Sequence, residues 1–96
     1  PAQVEAVILG HDAVMECAVV GVPDEKLGEE VKAVVQLKPG RTASEDELIS
    51  LCRDRLGGVY APKSVEFWPE LPRSAVGKLR RREVRAKYWQ GQWRSV

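Results

Sequence analysis

The pair Gly77-Lys78 stands inside the run Leu71-Pro72-Arg73-Ser74-Ala75-Val76-Gly77-Lys78-Leu79-Arg80-Arg81-Arg82-Glu83. A lysine placed beyond a proline-led loop and ahead of an arginine-rich segment is suited to delivering an ammonium to an anion. Pro72 fixes its own backbone and disfavours helix at the residue before it, so Leu71-Pro72 ends the preceding element. Gly77 offers no side chain to obstruct a ligand and accepts backbone angles closed to other residues. Lys78 is therefore expected on a positioned loop. The plain alternative is a surface turn followed by a basic helix. A phosphate-binding P-loop is excluded, because that motif needs glycine five residues before the Gly-Lys pair and Ser or Thr after it, where this chain has Pro72 and Leu79.

The elements that must carry this loop can be read from residue patterns. Val4, Val7 and Ile8 share one helical face, and Gly10 can end that helix. Val14 to Val22 is rich in strand formers and is expected to stop at the turn pair Pro23-Asp24. Val31, Ala33, Val35 and Leu37 alternate with Lys32, Val34, Gln36 and Lys38, the period of a strand with one buried face, closed by Pro39-Gly40. Ser44 and Glu47 have capping-box spacing ahead of Leu48, Ile49, Cys52 and Leu56, and Gly57-Gly58 ends that helix. Val65 and Phe67 mark a short strand that stops at Pro69, and a last helix is expected to begin near Gly77 or Lys78. The order helix, strand, strand, helix, strand, helix predicts an α+β domain with a small sheet flanked by helices.

The chain has 96 residues, enough for one domain spanning 1–96 that buries about 60 to 65% of its unfolded surface. Such a domain is too small to hold a multi-part reaction by itself, and Pro1 in place of an initiator methionine is read as the start of an excised piece. The net charge of +1 is unevenly placed: residues 71–96 carry eight basic groups against Glu83, and the other 70 residues carry seven basic and thirteen acidic groups. The C-terminal quarter is thus expected to meet an anion or an acidic surface. No apolar run approaches the ~18 residues of a membrane span and nothing at the N-terminus resembles a signal peptide, so a cytoplasmic location is expected. Cys17 and Cys52, 35 residues apart, lack the paired spacing of a zinc or redox site and are read as reduced core residues, and no metal ligand set is proposed.

Taken together, Pro1 to Glu5 leading to His11, Ala18-Val19-Val20-Gly21-Val22-Pro23-Asp24, Leu27-Gly28-Glu29, Lys38-Pro39-Gly40, Ala61-Pro62-Lys63 and the Leu71 to Arg81 run resemble, in order and spacing, one known family. This is the small C-terminal domain of the adenylate-forming, AMP-binding enzymes: acyl-CoA synthetases, peptide-synthetase adenylation domains and luciferases. The resemblance implies that Lys78 is the residue of the small domain that enters the active site for adenylation, with Gly77 and Arg73 positioning its loop. It implies ATP, CoA and Mg2+ in the intact enzyme, none held tightly by this piece, and a large N-terminal domain of the same chain as partner. It also implies a second half-reaction, in which the small domain rotates and another face assists attack by the CoA thiol, with Lys78 dispensable. The family hinge would lie just upstream of Pro1, and the piece alone is expected to be inactive.

Val-Gly-Lys-Leu-Arg-Arg departs from the Asn-Gly-Lys-Val-Asp-Arg usual in peptide-synthetase domains and looks like a CoA ligase. Gln3 replaces a usual acidic residue, and Tyr60 stands where a lysine often occurs. Arg53 falls near a position where some CoA ligases hold the nucleotide part of CoA; the alternative is a solvated charge at a helix end. His11 is read as a loop residue and not a base, and Arg80, Arg81 and Arg82 as orienting the loop or meeting the large domain. The tail Tyr88 to Arg94 is similar to tails of bacterial fatty-acyl ligases. By family analogy, acylation of Lys78 would remove its charge and stop adenylation, an expectation that full activity of acetylated protein would overturn. The reading is thus the C-terminal domain of an ATP-dependent, AMP-forming carboxylic acid:CoA ligase. The alternatives are an adenylation domain of another branch, or a basic module for nucleic acid or an acidic partner. Nucleic acid is disfavoured by the short arginine cluster and the near-neutral total charge.

Overall fold

The computed structural model describes residues 2–90. Helix α1 spans Ala2–Leu9 and turns its Val4 and Ile8 inward. It closes where Gly10 N–H donates to the carbonyls of Ala6 and Val7, both at 3.2 Å. Strands β1 (Val14–Asp24) and β2 (Gly28–Leu37) form an antiparallel hairpin, with an irregularity between Val14 and Glu16. At its tip the Asp24 carboxylate accepts the N–H groups of Lys26 and Leu27 (3.2 and 2.7 Å), an Asx-type turn.

Helix α2 (Glu45–Leu56) leads to β3 (Ser64–Phe67), which pairs parallel with β2, so the sheet order is β1-β2-β3. The expected capping box is present, with Ser44 accepting from Glu47 N–H and Glu47 accepting from Ser44 N–H. Gly57 ends α2 at φ +90°. Helix α3 spans Arg81–Trp89.

Three expectations are corrected. First, β1 runs on through Pro23 and Asp24. Val19 N–H and Gly21 C=O face the open edge of β1, where they bond side chains. By the period of two, Pro23 turns the side that lacks an N–H to that same edge, where no ladder bond is lost. Second, β2 is covered on both faces, with Ala33, Val34 and Val35 all fully buried. Ala33 and Val35 join Cys17, Val19 and residues of α1 and α2 in one core. Val34 joins Ala18, Val20, Val22, Leu71 and Val84 in a second. The alternating residues therefore mark one face, and α3 with Leu71 covers the other. Third, the last helix begins at Arg81, because residues 73–79 close into their own hairpin.

Both outer edges of the sheet are plugged by helix carboxylates: Glu5 of α1 accepts Val19 N–H at 2.8 Å, and Glu45 of α2 accepts Val65 N–H at 2.8 Å. Unpaired strand edges invite pairing with other chains, and these contacts occupy them. Cys17 and Cys52 are free and buried in the first core. Among the described residues, no helix is long and apolar enough to cross a membrane. Of the tail, Tyr88 and Trp89 pack on the sheet, Tyr88 stacking on Trp68 at 6.0 Å between ring centroids and Trp89 Nε1 donating to Gly21 C=O at 2.8 Å; Gly91 to Arg94 lie outside the described residues.

Candidate functional site: a lysine hairpin and a cationic groove

The loop that carries Lys78 is a closed hairpin tied at three levels. At its base Arg80 N–H donates to Pro72 C=O at 2.9 Å. Across its middle Arg73 and Leu79 form an isolated antiparallel bridge, and Ser74 N–H donates to Lys78 C=O at 2.7 Å. At its tip Gly77 N–H donates to Ser74 C=O at 2.9 Å, and Ser74 Oγ accepts Lys78 N–H at 3.1 Å. Gly77 has φ +87°, a left-handed conformation that side chains disfavour. The backbone of Lys78 is thereby fixed while its side chain stays exposed.

Charge pairing distinguishes Lys78 from its neighbours. Arg73 Nη2 lies 3.2 Å from Glu16, and its Nη1 donates to Gly77 C=O at 3.3 Å. Arg80 pairs with Glu83 at 2.7 Å and Arg85 approaches Glu29 at 3.8 Å, while Lys87 sits over the Trp68 ring. Arg81 grips Glu5 with two nitrogens: Nε donates to Oε2 at 2.7 Å and Nη2 bonds Oε1. Among the described residues Lys78, Arg82 and Lys87 are the cations of this segment given no carboxylate, and of these Lys87 is held over an aromatic ring. Much of the basic C-terminal quarter therefore neutralises acidic groups of its own chain, which reduces what is left for an external acidic surface.

Among the described residues Glu5 is the buried charged group, at 5% exposure. Burial alone would raise its carboxyl; the Arg81 guanidinium and the Val19 N–H outweigh that, holding it below the ordinary carboxylate value. Arg81 is correspondingly raised, chiefly by its bond to Glu5. Sequence reasoning missed this pair. The available signal was Glu5 beside Val4 and three residues before Ile8, on a helical face that had to be buried and so needed a cationic partner.

Arg53 occupies a different place. It lines an open groove of about 390 Å³ with Ser50, Lys63, Asp46 and the backbone turn at Gly58, Ala61 and Pro62. Two cations with a serine hydroxyl can hold a phosphate-bearing ligand there, so the residues fit an anionic nucleotide; Arg53 also lies in the last turn of α2, where a cation complements the helix end. His11 is structural. Its Nδ1 accepts Ala13 N–H at 3.0 Å, which puts the proton on Nε2, 2.5 Å from Glu47 Oε2. It ties the end of α1 to the cap of α2.

Residues 3–78 match the family described as the AMP-binding enzyme C-terminal domain, and the chain belongs to that family. It is 46% identical over 84 residues to the long-chain-fatty-acid–CoA ligase of Bacillus subtilis, covering 88% of this chain and 15% of that protein. It is 46% identical over 88 residues to the feruloyl-CoA synthase of an Amycolatopsis species, covering 92% of this chain and 18% of that protein. The crystal structure of Brucella canis acyl-CoA synthetase superposes with a TM-score of 0.85 at 38% identity, over 96% of this chain and 18% of that one. The chain thus spans less than a fifth of the length of these relatives.

Proposed function

We propose that this domain serves an ATP-dependent, AMP-forming carboxylic acid:CoA ligase, and that Lys78 is its adenylation lysine. The observation that carries the reading is Lys78 itself: an exposed ammonium without a carboxylate partner among the described residues, on a hairpin closed by backbone bonds. In the first half-reaction the substrate carboxylate attacks the α-phosphorus of ATP and pyrophosphate leaves. Two anionic groups must meet while charge builds on the phosphoryl oxygens. The Lys78 ammonium offsets that repulsion and stabilises the developing charge, with no proton transfer asked of it. On this reading the acid pocket, the ATP loop and the ligands of Mg2+ would lie in the large domain, where the bound metal would neutralise phosphate charge.

In the second half-reaction the CoA thiol attacks the acyl carbonyl and AMP leaves. The Arg53–Lys63 groove is the surface of this domain suited to the phosphates of CoA, and it uses elements other than the hairpin. Relatives named for different acids, a long-chain-fatty-acid–CoA ligase and a feruloyl-CoA synthase, are each 46% identical to this domain, which supports a reading in which the acid is selected outside it.

The test is acid-dependent ATP/pyrophosphate exchange in the intact parent protein, wild type against Lys78→Ala, paired with thioester formation from supplied acyl-adenylate and CoA. A preorganised cation in a partly dehydrated site is worth about 2.7–4 kcal/mol, so exchange should fall on the order of 10²–10³-fold. Thioester formation should persist. Unchanged exchange would refute the assignment and leave a domain that shares only the fold. The nucleic-acid alternative is weakened by the internal pairing of Arg73, Arg80, Arg81 and Arg85.

A further inference from the structure

The two arms of the Lys78 hairpin are anchored differently. On the entering arm Leu71 is buried in the second core and its N–H donates to Gln36 Oε1 at 2.9 Å. On the leaving arm, past the Leu79 bridge and the Arg80–Pro72 bond, the first charged side chain anchored to another element is Arg81, three residues past Lys78, which reaches across to Glu5 in α1. A planar guanidinium engaging both oxygens of one carboxylate fixes direction as well as distance. Glu5 is itself immobilised, since Oε2 also accepts Val19 N–H from the edge of β1. The start of α3 is therefore referenced to α1 and β1 at once.

Holding α3 onto the sheet does not require this pair. Val84 is fully buried in the second core, and Trp89 bonds the Gly21 carbonyl. Glu5–Arg81 sits instead at the end of α3 nearest Lys78, where the other fixed points are Leu79 and the Arg80–Pro72 backbone bond. Arg81 is also not a free phosphate ligand, because its guanidinium is already committed to a buried carboxylate.

We propose that Glu5 and Arg81 are positioning residues for adenylation, setting the place and direction from which Lys78 reaches the phosphoryl group. This rests on the reading of Lys78 given above. The thioester half-reaction does not use Lys78, so disturbing the pair should slow one half-reaction and spare the other.

Arg81→Lys in the intact protein tests this directly. Lysine keeps the charge facing Glu5, so the buried carboxylate stays compensated, but it replaces a two-toothed contact by a point charge. A displacement of about 1 Å at a reacting centre can cost on the order of 10²-fold, so the exchange kcat should fall by about tenfold or more. The KM for ATP and thioester formation from supplied acyl-adenylate should stay at wild-type values. The double variant Glu5→Gln with Arg81→Gln removes both charges together, leaving none buried alone, and should show the same split even if Arg81→Lys folds poorly. Wild-type exchange in these variants, or equal losses in both half-reactions, overturns the proposal. Lys78→Ala run alongside separates the two readings. Lost exchange there with intact exchange in Arg81→Lys refutes the positioning role alone, whereas intact exchange in Lys78→Ala refutes the role of Lys78 and this inference with it.

Discussion

Glu5 shows how a single residue couples charge to folding. Its folded pKa lies below the ordinary value of 4.5, so its pairing stabilises the domain fully above that value. The contribution is lost as pH falls through the folded pKa, because protonation then removes the charge that Arg81 and Val19 N–H bind. Acid melting curves should check this. Between pH 6 and 3 (spanning the usual carboxylate range), the melting temperature of the wild type should fall further than that of Glu5→Gln, which has no charge there to lose. Glu66 contributes in the same direction: burial raises it, but bonds from Tyr88 and Lys32 hold it below the ordinary value. Equal acid sensitivity in both proteins would show that Glu5 carries no pH-linked stability.

At the scale of elements, the hairpin from Arg73 to Leu79 depends on one backbone conformation. Gly77 is at φ +87°, and a Cβ added there would meet no atom within 4 Å. Substitution therefore costs conformation and not space. Gly77→Ala should lose about 1–2 kcal/mol if the hairpin is retained. If the hairpin relaxes instead, Lys78 is displaced and exchange falls. Asparagine visits left-handed angles more readily than alanine, so exchange rates should rank Gly77, then Gly77→Asn, then Gly77→Ala. An alanine variant with wild-type exchange would show that the turn conformation is dispensable. The same hairpin explains why α3 starts later than the residue pattern suggests: Leu79 is drawn back to bridge Arg73, and helix becomes available only after Arg80 has bonded Pro72.

Among the described residues, one three-stranded sheet separates two cores, and the Lys78 hairpin belongs to the second. Leu71, 1% exposed, is both a core residue and the root of the hairpin. Leu71→Ala should cost about 2–5 kcal/mol in chemical denaturation, a large share of the stability of a domain this size. Exchange should be lost together with thioester formation, in contrast to Arg81→Lys. A Leu71→Ala protein of wild-type stability would mean that the second core closes without it. Long-range charge works alongside these cores. The acidic N-terminal part and the basic C-terminal quarter meet through Glu5–Arg81, Glu16–Arg73 and Glu29–Arg85, which link α1, β1 and β2 to the segment around Lys78.

Much of this was legible in the residues alone. The Ser44–Glu47 capping box, the glycine closures, the three strands and the loop bearing Lys78 are set by short-range chemistry: cap hydrogen bonds, backbone angles and hydrophobic period act within a few residues. What only the tertiary structure decided depends on groups distant in sequence. That Val34 is buried as deeply as Val35 follows from α3 crossing the second face of the sheet. That Glu5 is buried and charged follows from Arg81, 76 residues away. That Arg53 and Lys63 share a groove, and that Lys78 and Arg82 have neither a carboxylate nor an aromatic ring as partner among the described residues, follows from which groups the fold brings within reach. A local pattern fixes where a residue sits on its element, but a charge finds its partner only when the elements have packed.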